Sequence, residues 1–105
     1  MAKEIAIENP VVVRAERAGY FVRKAGWVGR RSAPDRVFAR KDRGTVWIEF
    51  KRPGEMPTKL QAEEHAKMRA AGMEVHVCDS IDDAMRILWL RGPGSNQPDD
   101  YEDLV

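Results

Sequence analysis

The chain has 105 residues, 43% apolar and 33% charged, which suits one globular domain with a modest core and leaves no room for a second. No apolar run approaches the roughly 18 to 20 residues needed to span a bilayer, and Met1-Ala2-Lys3-Glu4 lacks the basic stretch and apolar block of a secretory leader. The net charge of +1 conceals an asymmetry, because residues 1–60 carry fourteen Lys and Arg against seven acids, and residues 61–105 four against ten. A basic half suits a surface that meets a polyanion, or the two halves pair with each other.

Asn9-Pro10 before Val11, Val12, Ala15 and Ala18 predicts a helix capped by Asn9 and closed by Gly19. Tyr20-Phe21-Val22 begins an extended segment running towards Gly26-Trp27-Val28-Gly29, and Arg30-Arg31-Ser32-Ala33-Pro34 is a basic loop. Asp35 to Arg40 fits a strand, and Lys41-Asp42-Arg43-Gly44 a hairpin turn. Thr45 to Lys51, rich in β-branched and aromatic residues, is the clearest strand, and Pro53-Gly54 ends it. A helix follows from Thr58, marked by Leu60, Ala62, Ala66, Met68 and Ala70 and closed by Gly72. On it His65 is expected at the surface. Met73 to Cys78 forms a last strand, containing His76.

Cys78 is the only cysteine, so neither an intramolecular disulfide nor a multi-cysteine zinc site can form. It reads as a buried apolar residue, consistent with a reducing, cytoplasmic location. Ser80-Ile81-Asp82-Asp83 opens a final helix continued by Ala84, Met85 and Leu88. Ile87-Leu88-Trp89-Leu90 is apolar around much of that helix, which predicts a homodimer formed through it. From Gly92 the composition turns Pro/Gly-rich and acidic, so residues 1–91 are expected to be a single domain and 92–105 a flexible tail. The order helix, three strands, helix, strand, helix is an α/β arrangement, a mixed sheet flanked by helices.

Strand alternation places Glu49 and Lys51 on one face with Trp47, opposite Val46, Ile48 and Phe50. Asp35 starts the preceding strand, and a hairpin turning at residues 41–44 sets it against Glu49 to Lys51. Two carboxylates would then converge beside an ammonium group. Carboxylate oxygens with water and a phosphate are what Mg²⁺ requires, and a lysine there can orient a water or offset phosphate charge. The plain alternatives are a surface ion pair for Glu49 and Lys51, and a turn cap for Asp35. Gln61 also completes a capping box with Thr58. Arg30, Arg31, Arg36 and Arg52 cluster about these residues, either to grip phosphates or as a solvated face.

Pro34-Asp35 followed by Glu49-Phe50-Lys51 resembles the PD-(D/E)XK nuclease superfamily. The wider pattern is similar to its virus-type replication-repair nuclease (VRR-NUC) domain across roughly residues 4–90. Gly29-Arg30-Arg31, Ile48 to Gly54, Gln61, Gly72, Val75-His76-Val77 and Asp79-Ser80 carry that likeness. It implies a restriction-endonuclease-like core, Mg²⁺ or Mn²⁺ dependence and hydrolysis of DNA phosphodiesters, with branched or four-way junction DNA as substrate. It also implies that Asp35, Glu49 and the Phe50 carbonyl bind metal, that Lys51 assists the nucleophile, and that Gln61 supports the site. A further acid on the first helix is Glu8, with Glu4 and Glu16 as other choices. Ser32 stands where the family commonly has glycine. Cleavage of linear or flapped DNA, or a non-catalytic nucleic-acid-binding module of the same fold, are the alternatives.

Overall fold

Ile7, Val11 and Ala15 form one buried helical stripe, and this stripe decides where the first helix begins. In the computed structural model, which describes residues 3–90, α1 spans Ile5–Arg17 with Glu4 as its N-cap. The start expected at Asn9 is therefore about one turn late, and Pro10 lies inside the helix. A proline there forfeits one backbone bond, at a cost of roughly 3 kcal/mol in a helix interior. Continuing the helix back to Ile5 buries Ile7 with the core and brings the Glu8 carboxylate to Arg36.

Four strands follow the expected order, β1 (Phe21–Lys24), β2 (Arg36–Arg40), β3 (Gly44–Phe50) and β4 (Val75–Cys78), with α2 (Lys59–Ala70) and α3 (Ile81–Ile87). The sheet order is β1-β2-β3-β4, antiparallel through β3, with β4 parallel to β3. That parallel pair needs a crossover, and α2 supplies it. Val46, Ile48 and Phe50 of β3 are fully buried with Phe38 and Val22 in the main core, which α1 and α3 close with Val11, Ala15, Ala84 and Met85. The opposite face carries Trp47, Glu49 and Lys51, and α2 lies over it. Of the residues that marked α2 in the sequence, Leu60, Ala62, Ala66 and Ala70 are exposed; the inward residues of the helix are His65 and Met68.

All three helices end alike. The residue after the C-cap has a left-handed backbone, and the next N–H reaches back to a carbonyl of the final turn, the Schellman closure. Gly19 (φ +92°) and Gly72 (φ +90°) serve α1 and α2, where Tyr20 N–H donates to Ala15 and Met73 N–H to Met68. In α3 the same position is Trp89, at φ +60°, and Leu90 N–H donates to Met85 at 2.7 Å. A tryptophan tolerates this unfavourable region because its surroundings hold it. Arg43 lies 4.8 Å over its ring, bonds the Ile87 carbonyl and makes a forked pair with Glu74. Tyr20 donates its hydroxyl to the Leu88 carbonyl.

This closure corrects the expectation of a second apolar face on the last helix. The helix stops at Ile87, the chain turns, and Leu88 and Leu90 enter the monomer core at 0% and 1% exposure. Only Trp89 of that segment stays largely outside. The acidic tail expected over residues 92–105 lies outside the described residues. Among those described, no helix is long and apolar enough to cross a membrane. Leu88→Ala should destabilise the fold by about 2 to 5 kcal/mol, and Trp89→Glu by only about 1 kcal/mol. Urea unfolding checks both, and neither loss should depend on protein concentration, as it would at an interface.

Candidate active site

The polar face of β3 is enclosed, so its charged side chains cannot be read as a solvated pair. Glu49 and Lys51 are 4% and 6% exposed. Register brings Asp35 to them: Arg36 stands opposite Ile48, one step along from Asp35 opposite Glu49. Pro34 is buried just before it, and the Asp35 carbonyl accepts from Ala25 N–H at 3.0 Å, which fixes the backbone there. The Asp35 carboxylate then accepts from Phe50 N–H at 2.7 Å, pinned to the edge of β3.

Glu49 has two unlike oxygens. Oε2 accepts from Gln61 Nε2 at 3.2 Å and lies 3.7 Å from Lys51 Nζ. Oε1 is buried without a hydrogen-bond partner among the described residues. Burial, and then the Asp35 carboxylate, push the Glu49 carboxyl up to about 7, against the pull of Lys51. Asp35 is raised as well, chiefly by burial, which outweighs the Phe50 N–H, with Glu8 and Glu4 adding to it. Two crowded acids with one free, dry oxygen form a donor set for a hard cation, whose charge would relieve the repulsion between them.

The structure thus brings Asp35, Glu49, Lys51 and Gln61 together. Gln61 makes two contacts at once: its Oε1 accepts from Thr58 N–H at 2.9 Å in the capping box while Nε2 donates to Glu49. Glu8 is on α1 and buried, but its Oε2 is held by Arg36 Nε at 2.6 Å. Among the described residues no three His, Cys, Asp or Glu side chains converge to hold a metal ion, although the charge of Glu8 is felt at Asp35. Arg36, expected to grip phosphate, is 16% exposed at its side chain and pairs with Glu8 through Nε. Glu4 is exposed and Glu16 likewise, although the charge of Glu4 is felt at both site acids.

Arg30 and Arg31 border a groove of about 470 Å³ between the loop at residues 29–32 and α2, opposite Leu60, Glu63, Glu64 and Lys67. Arg30 is mostly exposed, 3.8 Å from Glu64, and half-exposed Arg52 pairs with Glu55. Arg30–Glu64 and Arg43–Glu74 join the basic and acidic halves of the chain, so part of that asymmetry is satisfied internally. His76 is the strand residue expected, 2.7 Å from Glu74, and Cys78 is buried, its thiol pushed up to about 12 by burial.

His65 was not legible as a site neighbour. It is 1% exposed, not at the helix surface, and its Nε2 has no partner among the described residues. Burial, then Arg69 and Lys51, hold the imidazole below its ordinary range, so it is neutral at pH 7. The available signal was its spacing of four residues from Gln61, which puts both on one face of α2.

No protein-family model matches the chain. Over 82 residues, 78% of its length, it is 38% identical to a protein of Acyrthosiphon pisum secondary endosymbiont phage 1 named "Putative nuclease p44", of which it covers 88%. Its backbone is similar to a solved structure named "VRR_NUC domain", with a TM-score of 0.75 and 28% identity over 85% of this chain and 97% of that one.

The raised Glu49 carboxyl has a consequence for stability. Its folded value of about 7 lies above its ordinary 4.5, so the protonated form favours folding. That contribution is full below pH 4.5 and is lost as pH rises through 7. Without divalent ions the melting temperature should fall across this window, and Glu49→Gln should flatten the fall and be the more stable form above pH 7. Thermal scans against pH check this.

Proposed function

The chain belongs to the virus-type replication-repair nuclease family, and on that premise we propose that it is a divalent-metal-dependent DNA endonuclease acting at Asp35, Glu49 and Lys51. The observation that carries the reading is Oε1 of Glu49, without a partner among the described residues and buried beside a second carboxylate and beside Lys51. A binding module has no use for two acids where phosphate must approach, since they would repel it. A cation between them reverses that sign.

Asp35, Glu49 and the Phe50 carbonyl would hold Mg²⁺ or Mn²⁺, with water and a phosphate oxygen filling the remaining positions. The donor set suits such an ion because it is all oxygen. When bound, the ion supplies electrophilic activation of the scissile phosphate. The chain's own residues do the rest. Lys51 Nζ, beside Glu49, orients the attacking water and offsets charge gathering on the phosphoryl oxygens as the P–O bond of the leaving strand breaks. Gln61 holds Glu49 in place through Oε2, and Arg36 holds the Glu8 carboxylate by an ion pair. Arg30, Arg31 and Arg52 meet backbone phosphates around the groove.

Branched or four-way junction DNA is the substrate class carried over from the family likeness, with linear and flapped DNA as the comparison. A homodimer that sets two sites across a junction would need a surface other than the one expected on the last helix. Purified protein incubated with four-way, flapped and linear DNA should cut only with Mg²⁺ or Mn²⁺, and EDTA should abolish cutting. Asp35→Asn, Glu49→Gln and Lys51→Met should each lower kcat by about 10² or more. Arg31→Ala should instead weaken binding and flatten its salt dependence. Binding without metal-dependent cutting would favour the non-catalytic module.

A further inference from the structure

α2 presents Gln61 and His65 four residues apart on the face that covers the polar side of β3. Gln61 ends at Glu49. His65, one turn on, is 1% exposed, and its Nε2 is buried without a partner among the described residues. Packing alone does not account for a histidine here. A leucine or methionine would fill similar space and leave no buried nitrogen unsatisfied, a defect that folded proteins rarely keep without use.

The charged groups near the ring narrow the use. Arg69 on the same helix spends its guanidinium on the Val75 carbonyl, at 2.9 and 3.1 Å. Glu64, also on α2, faces Arg30. Lys51 comes from β3, and its ion pair with Glu49 Oε2 spans 3.7 Å, longer than a hydrogen bond. At that distance the ammonium group has a charge partner in Glu49 and not a short hydrogen bond to it.

We propose that His65 is a positioning residue for Lys51: its neutral imidazole offers Nε2 as the acceptor that keeps the ammonium group in place when Glu49 turns to another partner. The tautomer this requires carries its proton on Nδ1. An imidazolium could not accept and would repel the lysine, and the burial that keeps the ring neutral serves this role. The consequence for turnover rests on the nuclease reading given above; the pairing of His65 with Lys51 does not.

Two measurements separate these. In DNA cleavage with Mg²⁺, His65→Leu should lower kcat about tenfold or more with KM within about twofold, while its melting temperature stays level or rises. His65→Gln, which restores a polar atom near the Nε2 position, should recover most of the loss. Full kcat in the leucine variant, or a loss that tracks melting temperature and is not rescued by glutamine, overturns the proposal. Independently, ¹⁵N spectra of the Glu49→Ala protein without metal or DNA, in which Lys51 has lost its carboxylate partner, should show His65 as the Nδ1–H tautomer, with Nε2 shifted when Lys51→Met is added. A ring signal indifferent to Lys51→Met overturns the pairing even if the leucine variant fails to fold. Wild-type protein that does not cut DNA refutes the nuclease reading and leaves the spectral test to decide His65.

Discussion

A carboxylate that loses its water must find donors or opposite charge, and Glu49, 4% exposed, finds them among the described residues for one oxygen only. Gln61 and Lys51 attend Oε2, while Asp35 adds like charge on the other flank. The folded chain therefore holds an electrostatic deficit at one spot. A site that binds a cation should have this form, because two close carboxylates set up a negative potential that the ion's charge would relieve. Every surrounding element bears on that deficit: the hairpin of β2 and β3 delivers Asp35, α2 shuts out water, and α1 brings Glu8 near but binds it to Arg36.

Stability comes mainly from the other side of the sheet. There Phe38, Val46, Ile48 and Phe50 pack with α1 and α3 in a core without charge, and the rings of Tyr20, Phe38 and Phe50 meet edge to face at 6.4 Å. The face under α2 has Met68 and Val75 as its buried apolar residues, and alongside them it buries Glu49, Lys51 and His65. One face of a single sheet holds the molecule together, and the other accepts unfavourable burial. Such separation is common where function demands polar groups that a stable core would discard.

The segment after α3 matters to this division. Arg43 links the β2–β3 turn to Glu74, to the Ile87 carbonyl and to the Trp89 ring, and these contacts hold a non-glycine residue in a left-handed conformation. The forked hydrogen bonds from Arg43 and the contact with His76 keep the Glu74 carboxyl down at about 2. Leu88 and Leu90 are thereby turned inward, and apolar surface that would favour self-association becomes core.

The sequence by itself determined the order of elements, the alternation in Thr45 to Lys51 and the hairpin arithmetic that sets Asp35 against Glu49, because these depend on local periodicity and turn length. Gly19 and Gly72 announced two helix ends by the same local logic. Only the tertiary structure decided what depends on neighbours remote in the chain. Pro10 inside α1 is tolerated because Ile7 gains a core, Trp89 replaces glycine because Arg43 supports it, and Arg36 meets Glu8 of α1 because the helix starts early enough to bring that carboxylate to it. His65, polar by composition, is interior because the stripe that α2 buries faces a polar strand surface. Periodicity marks which residues share a face; what that face meets is settled by packing.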